Sequence, residues 1–285
     1  MNPRIEIAVI LSRWLGTGAF PDRLLESVTA DRAFAMEVVY GCVKYWRTLN
    51  WIMRQCVTGK AQQEAVPFLL IGLYQVFYLS DVADYAVVNE TVEAAKQRLT
   101  RAGAGFVNAV LRRALREKKD ILSRLKAQPV AVRESHPDIL VERWRTRFTA
   151  GKAVKLCKWN NSRPEVTICV NTARTTTEDY LADLKKKGIE AAPHPFVPQK
   201  CIVIPHGIAV PDLPGYADGF FSVQDAAMLT PVRLMTLQKA DRVLDACAAP
   251  GGKTMLIAEK LGAGGRLTAM ERYKDRIVEL KENLA

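Results

Sequence analysis

Long apolar segments are missing from this sequence. It contains no run of eighteen uncharged apolar residues, so no membrane-spanning helix is predicted. The N-terminal segment MNPRIEIAVILSRWLG carries Arg4, Glu6 and Arg13 inside its apolar pattern, which favours an amphipathic helix over a signal peptide. Internal repeats and low-complexity tracts are also absent, so the chain is expected to fold as ordinary globular domains.

Metal-ligating residues are few and scattered. The chain has six cysteines and three histidines, and no two cysteines form a CxxC pair. The cysteines are Cys42, Cys56, Cys157, Cys169, Cys201 and Cys247. This pattern predicts no metal site and no disulfide framework, and it is typical of a reducing, cytoplasmic environment.

Acidic residues are fewer than basic residues in this chain. The chain has 41 Lys and Arg residues against 30 Asp and Glu residues, a formal net charge of +11. The imbalance is concentrated in residues 101–150, where twelve basic residues stand against five acidic ones. A clustered excess of this size favours a polyanionic partner such as nucleic acid.

Hydrophobic periodicity divides the chain into segments of different character. Residues 1–127 have the spacing of a compact all-α helical bundle, with the almost wholly apolar segment 67–79 as its central helix. Residues 128–163 are predicted to form a linker with short helices, and residues 164–222 a small α/β domain. Residues 223–285 have the β-α-β-α order that begins a parallel, doubly wound sheet.

A glycine-rich turn interrupts the last of these segments, in the stretch RVLDACAAPGGKT. A buried strand is predicted over 241–246 and a helix over 252–261, with Gly251 and Gly252 between them. Glycines at this place allow a ligand to approach the backbone at the helix N-terminus. The second strand is predicted to end at Glu271, where an acid binds ribose hydroxyls in nucleotide-binding α/β folds, and Asp245 lies at the tip of the first.

Three ligand classes compete for this turn. A phosphate-binding loop of the NTPase kind requires glycine at the position of Cys247, and a dinucleotide fingerprint requires glycine spacing that Pro250 interrupts. S-adenosylmethionine, which carries a ribose and a zwitterionic methionine but no phosphate, fits the residues better. A tight strand-to-helix turn with no ligand remains the alternative.

The segment DACAAPGGKT resembles motif I of the RsmB/Sun (Fmu) family of 16S rRNA cytosine-C5 methyltransferases. Other segments agree with that family in the same order along the chain. VVNETVEAAKQRL and GFVNAVLRR resemble its NusB-like N-terminal domain, and SHPDILVERW, RPEVTICVNT and GFFSVQDAA resemble the segments leading to motif I.

The resemblance implies a fold and a reaction. The fold would be a NusB-like RNA-binding bundle, a small α/β domain and the beginning of a Rossmann-like methyltransferase domain. In the reaction, a cysteine thiolate adds to C6 of a cytosine in ribosomal RNA, and C5 then takes the methyl group of S-adenosylmethionine. A second cysteine helps to remove the C5 proton, and the thiolate leaves C6. The implied cofactor residues are Cys247, Ala248, Ala249, Pro250, Gly251, Gly252 and Lys253, with Asp245 in support and Glu271 where the family usually has Asp.

The family's two catalytic cysteines stand in Pro-Cys and Thr-Cys motifs downstream of motif I. No cysteine follows Cys247 in this sequence, so the resemblance implies that they lie beyond Ala285 and that this chain alone is inactive. Cys247 itself is expected to be a small packing residue in the cofactor loop.

The RNA contacts are assigned to the basic run Arg112, Arg113, Arg116, Lys118 and Lys119, at the end of a predicted helix. A solvated helix face without a partner is the plain alternative. Ribosomal RNA is the expected partner of a monomeric protein. Two other functions stay open: a NusB-like antitermination module without chemistry, and a nucleotide hydrolase, which Cys247 disfavours.

Overall fold

The computed structural model describes residues 2–59, 61–79 and 83–284. The chain forms two compact units that divide between Ser162 and Arg163, and each is described by itself. None of the described helices has the length and apolar character needed to cross a membrane.

The described part of the first unit is helical. Its α-helices are α1 Pro3–Thr17, α2 Pro21–Leu25, α3 Arg32–Lys44, α4 Trp46–Cys56, α5 Val66–Tyr78, α6 Asp84–Lys96, α7 Arg101–Arg116, α8 Lys118–Lys126, α9 Val130–Arg133, α10 Asp138–Arg147 and α11 Ala150–Asn161. Several begin at polar caps: the side chains of Asn2, Asp31 and Thr100 each accept a hydrogen bond from a first-turn N–H group.

Helix α5 is the centre of this unit, which confirms the predicted all-α bundle and its central helix. The run Pro67–Val76 is buried, and α1, α3, α4, α6 and α7 all contact α5. Two glycines allow the close approach. A Cβ atom on Gly41 would overlap the ring of Tyr74, and one on Gly72 would lie 2.5 Å from Leu111.

Residues 128–163, interpreted from the sequence as a linker with short helices, hold α9, α10 and α11 within the first compact unit. A small apolar cluster of Ala131, Val141 and Cys157 joins these helices. The Thr48 hydroxyl donates to the carbonyl of Val132 at 2.7 Å and so attaches the segment to α4.

The second unit starts with a four-stranded antiparallel sheet. Its strands are β1 Val166–Val170, β2 Ala192–Pro193, β3 Cys201–Ile204 and β4 Phe221–Val223, and they lie in the order β2-β3-β1-β4. Helix α12, Thr177–Lys186, buries Tyr180 and Leu184 against one face, and α13, Leu229–Leu234, packs its Leu229 and Val232 in the cluster that covers the other.

The rest of this unit is a parallel β-α-β arrangement followed by a helix, as the sequence predicts. It consists of β5 Arg242–Asp245, α14 Gly252–Ala258, β6 Arg266–Ala269 and α15 Lys274–Leu284, with β5 and β6 paired in parallel. Leu256 and Ile257 of α14 share an apolar cluster with Cys169 and Cys201 of the antiparallel sheet. This packing fixes the start of α14, and hence the glycine turn, relative to that sheet.

Two details differ from the sequence-based expectation. The strand predicted as buried over 241–246 is half covered, because Val243 packs inward while Leu244, on the opposite face, is 58% exposed. Strand β6 ends at Ala269, so Glu271 lies two residues beyond it in the connection to α15. Helix α14 ends at Ala258 rather than at 261.

Candidate cofactor site

Two acids stand at the same edge of the parallel pair. Asp245 is the last residue of β5 and is paired in register with Ala269, the last residue of β6. Glu271 follows two residues later. Because the carboxyl ends of parallel strands meet at one edge, both acids border the crevice in which ligands bind in open α/β sheets.

The Asp245 carboxylate is occupied by the chain itself. One oxygen accepts from the Cys247 N–H at 3.3 Å, and the other accepts from the Thr254 hydroxyl at 2.8 Å. Asp245 therefore ties the start of the turn to the first turn of α14. Thr254 was not among the residues predicted for this site; its signal in the sequence is a hydroxyl residue two positions after the second glycine.

The two glycines of the turn have structural reasons of their own. Gly251 has φ +114°, a backbone conformation that side-chain-bearing residues rarely adopt, and a Cβ there would lie 3.3 Å from Leu280. A Cβ on Gly252 would lie 2.9 Å from the side-chain nitrogen of Gln224. The sequence-based interpretation attributes both glycines to a ligand, and that stays a prediction. In the structure the backbone angle of Gly251 is a reason for glycine apart from any ligand, whereas the Gln224 side chain beside Gly252 is long enough to turn away from a methyl group.

Helix α15 supports the turn. The Arg276 guanidinium donates to the carbonyl of Ala249 at 2.9 Å, and the Asn283 amide donates to the carbonyl of Pro250 at 2.9 Å. Leu280 packs against the buried side chains of Ala248 and Ala249. The turn is thus held by two hydrogen bonds and one apolar contact from a single helix.

The Glu271 carboxylate is turned into the structure, and its side chain is 5% exposed. Its Oε1 accepts from the N–H groups of Arg272 at 2.8 Å and Tyr273 at 3.1 Å. Its Oε2 lies 3.8 Å from Nη1 of Arg276. The Tyr273 N–H, followed by the Arg272 N–H and the Arg276 charge, lowers the pKa of Glu271, so the group stays ionised.

The remaining motif residues divide by exposure. Cys247, Pro250 and Lys253 are exposed, so they line the outer side of the turn, whereas Ala248 and Ala249 are buried beneath it. The other five cysteines are buried. Burial raises the pKa of the Cys42 thiol well above its usual value, and raises that of Cys56 to about 11, which leaves both unreactive.

Gln224 is a further residue at this place, and no motif in the sequence predicted it. It follows β4, its N–H donates to the carbonyl of Thr167 at 3.0 Å, and its side chain lies against Gly252. The side chain is buried, and Gln224 Oε1 has no hydrogen-bond partner among the described residues. An unsatisfied buried acceptor is costly, so this amide is a candidate to receive a ligand donor.

The predicted RNA-binding run divides into two sets. Arg113 pairs with Glu117 at 2.8 Å, and Lys118 lies 3.5 Å from Asp84, so these two charges are partly neutralised. Arg112, Arg116 and Lys119 are exposed. The structure therefore presents three open cations in this region rather than five.

Three family models match the chain in sequence. Residues 1–116 match the NusB family, residues 136–211 match the ferredoxin-like domain of RsmF/B-like methyltransferases, and residues 232–285 match the 16S rRNA methyltransferase RsmB/F family. The three matched regions follow the order of the helical bundle, the antiparallel sheet and the parallel β-α-β segment.

Curated relatives match along the whole chain. Ribosomal RNA small subunit methyltransferase B of Pseudomonas putida is 32% identical, over 100% of this chain and 66% of its own length. The protein of that name from Serratia proteamaculans is 34% identical, over 99% of this chain and 66% of its length. The chain therefore spans about two thirds of the relatives it matches.

Among solved structures, the crystal structure of PH0851 superposes with a TM-score of 0.70. The match has 16% sequence identity and covers 100% of this chain and 67% of that one. It shows a common fold over the helical unit and the sheets that follow.

Proposed function

This chain belongs to the RsmB/F family of 16S rRNA methyltransferases, and we propose that the full-length protein transfers the methyl group of S-adenosylmethionine to C5 of a cytosine in 16S rRNA. One observation carries the proposal. In the segment that matches the methyltransferase model, two carboxylates and a braced glycine turn stand together at the carboxyl edge of parallel strands.

The residues at this edge fit S-adenosylmethionine. Glu271 is ionised and has one oxygen, Oε2, beyond hydrogen-bond distance of Arg276, which suits it to accept from a ribose hydroxyl. Gln224 supplies a buried acceptor without a partner. Cys247, Pro250 and Lys253 present the exposed side of the turn, where the methionine part of the cofactor would lie.

Each chain residue has a separate role in this proposal. Asp245 and Thr254 hold the start of α14 in place, and Arg276 and Asn283 bind the carbonyls of Ala249 and Pro250 and so hold the turn. S-adenosylmethionine supplies the methyl group when bound. None of the six cysteines is assigned as the nucleophile that adds to cytosine, because five are buried and Cys247 lies within the cofactor turn.

The first unit is proposed to bind ribosomal RNA. Its open cations Arg112, Arg116 and Lys119 suit phosphate contacts, which depend on position and charge rather than on base identity. The protein is proposed to act as a monomer in the cytoplasm.

Methyl transfer by the full-length protein tests this function. With tritiated S-adenosylmethionine and 16S rRNA, label is expected in 5-methylcytosine. Glu271→Gln should raise the KM for the cofactor by roughly tenfold and change kcat little, because a neutral amide is a weaker acceptor for a ribose hydroxyl than a carboxylate. The matched control is Glu279→Gln on the exposed side of α15, which should behave as wild type.

Absence of labelled 5-methylcytosine would contradict the reaction, and an equal effect of both substitutions would contradict the role of Glu271. A calorimetric titration of the chain with S-adenosylmethionine separates this function from that of a NusB-like module without chemistry, which has no reason to bind the cofactor.

A further inference from the structure

A stretch without acidic residues connects the end of the helical bundle to the antiparallel sheet. Residues 143–164 contain seven basic residues and no Asp or Glu. The seven are Arg143, Arg145, Arg147, Lys152, Lys155, Lys158 and Arg163. In the part of the chain that the structure describes, Arg145 is the one member with a carboxylate within 4 Å, that of Glu142 at 3.5 Å.

Helix α11 gathers part of this charge on one face. At about 100° per residue, Lys152, Lys155, Lys158 and Trp159 fall within an arc of roughly 120°. All four are exposed, and Trp159 is 72% exposed. The opposite side of α11 buries Ala153 and Cys157. These four exposed residues are called the α11 basic face.

The α11 basic face is held on a fixed frame. The Lys44 ammonium donates to the carbonyl of Asn161 at 2.9 Å, and the Asn161 amide donates to the carbonyl of Glu134 at 2.8 Å. At the other end, the Thr149 hydroxyl caps α11 by accepting from the Lys152 N–H at 3.2 Å. A ligand that binds there has little backbone left to order, which lowers the entropic cost of binding.

A large exposed aromatic side chain among unpaired cations is the arrangement that suits unpaired RNA. Lysines contact phosphates, and an aromatic ring stacks on a base that is not held in a duplex. An acidic protein segment would also pair with the lysines, but one unpaired RNA strand supplies both phosphates for the cations and bases for the ring, at neighbouring positions. The open cations near the end of α7 differ in this respect, since they offer charge without a neighbouring exposed aromatic side chain on the same helix.

We propose that the α11 basic face binds an unpaired segment of RNA, with phosphates on Lys152, Lys155 and Lys158 and a base stacked on Trp159. This inference rests on the proposed function for its RNA substrate and adds a second contact surface to it. It places unpaired nucleotides of the substrate beside the helices that precede the antiparallel sheet.

The test measures binding of the whole chain to a fluorescently labelled single-stranded RNA oligonucleotide. Fluorescence anisotropy gives the affinity at several salt concentrations. The combined variant Lys152→Gln, Lys155→Gln, Lys158→Gln should bind about tenfold more weakly or worse. The slope of log affinity against log salt should fall by roughly 2, since each lost phosphate contact on a single strand removes about 0.7.

Trp159→Ala should weaken binding of the single strand by about 5- to 150-fold, the range for one stacked base. It should leave the salt slope and the affinity for the annealed duplex unchanged, and Trp159→Phe should restore most of the loss. Because Trp159 is exposed, the variants are expected to fold, which far-ultraviolet circular dichroism checks.

The matched control is Lys185→Gln, Lys186→Gln, Lys187→Gln, which removes the same charge from the exposed end of α12 and should change little. Several outcomes would overturn the inference: no RNA binding by the wild type, unchanged affinity in the α11 variants, or equal losses from both lysine triples. If the α11 variants lose RNA affinity as expected but no methyl transfer is found, only the proposed function is contradicted. The RNA-binding inference and the proposed function can therefore fail separately.

Discussion

The two units of the chain use glycine for opposite purposes. In the helical unit, Gly41 and Gly72 lie in regular helices, where they leave room for Tyr74 and Leu111 of neighbouring helices. In the second unit, Gly251 lies outside regular structure and is needed for its backbone angle. The first use serves a large shared core, whereas the second shapes a local site that other residues must then hold in place.

The cores differ in the same way. One apolar cluster runs through the helical bundle from α1 to α8, whereas the second unit has separate clusters on the two faces of its antiparallel sheet and a small one beneath the glycine turn. A change in the bundle is therefore expected to affect the whole unit. A change at the turn is expected to act locally, through a few hydrogen bonds.

The largest expected effect is that of Gly41→Ala. The new methyl group would overlap the Tyr74 ring, which is fixed by stacking on Tyr78 at 5.5 Å and by its hydroxyl donating to Glu37. We expect the free energy of unfolding of the first unit to fall by about 3 kcal/mol. Urea unfolding followed by tryptophan fluorescence measures it, since all five tryptophans precede residue 163.

The control for that comparison is Gly105→Ala on α7, where a Cβ would meet nothing within 4 Å. This substitution should stabilise the helix by roughly 0.5–1 kcal/mol. If the two variants were equally stable, close packing of α3 on α5 would not be the reason for Gly41.

Gly251→Ala should have a smaller and local effect. Its φ of +114° is strained for alanine, at a cost of about 2 kcal/mol, and the methyl group would press on Leu280. We expect faster hydrogen exchange of the Met255 and Met270 amides, with the tryptophan unfolding midpoint unchanged.

Gly264→Ala is the matched control for the turn, because its φ is ordinary and its nearest neighbour, Ala240, lies at 3.9 Å. If the Met255 and Met270 amides exchange as slowly in Gly251→Ala as in this control, the backbone angle of Gly251 is not what fixes the turn.

The smallest effect is expected from the ionisation of Glu271. Its pKa is lowered in the folded chain, so its contribution is complete above the unfolded pKa of about 4.3 and is lost as pH falls through the folded value. In wild type, the amides of the turn should exchange faster in acid as Glu271 is protonated. Glu271→Gln should abolish this contribution to the pH dependence of exchange. The effect is small because the donors are the N–H groups of the next two residues, which stay close in the unfolded chain.

The measurement is amide exchange around the turn at neutral and acidic pH in Glu271→Gln and Glu279→Gln. Identical pH profiles for the two variants would mean that the hydrogen bonds to Glu271 contribute nothing to the stability of the turn.

Much of the fold could be predicted from patterns along the chain. The apolar run 67–79 indicated a central helix and the β-α-β order of the last segment indicated parallel strands, and both are present. The helices of residues 128–163 were harder to place. Their apolar contacts are few, and what attaches them to the bundle is hydrogen bonds such as that from Thr48, which leave no periodic signal.

At the candidate site, the sequence indicated the turn and two acids near the ends of the parallel strands. It did not predict that Glu271 lies two residues beyond β6, nor which residues the acids contact. Thr254 on Asp245, Arg276 on Ala249 and Gln224 against Gly252 join residues that are 9 to 28 positions apart, and spacing alone does not predict such contacts. The same holds for the basic run at 112–119, where Glu117 and Asp84 partly neutralise two of the predicted cations.

The sequence by itself determined the order of the elements, the basic balance and the residue types at the carboxyl edge of the parallel strands, because these depend on local patterns and composition. Only the tertiary structure decided which glycines serve packing and which serve backbone angle, and which charges remain unpaired. The role of each glycine and the pairing of each charge depend on side chains from distant parts of the chain, which come within contact distance only when the chain folds.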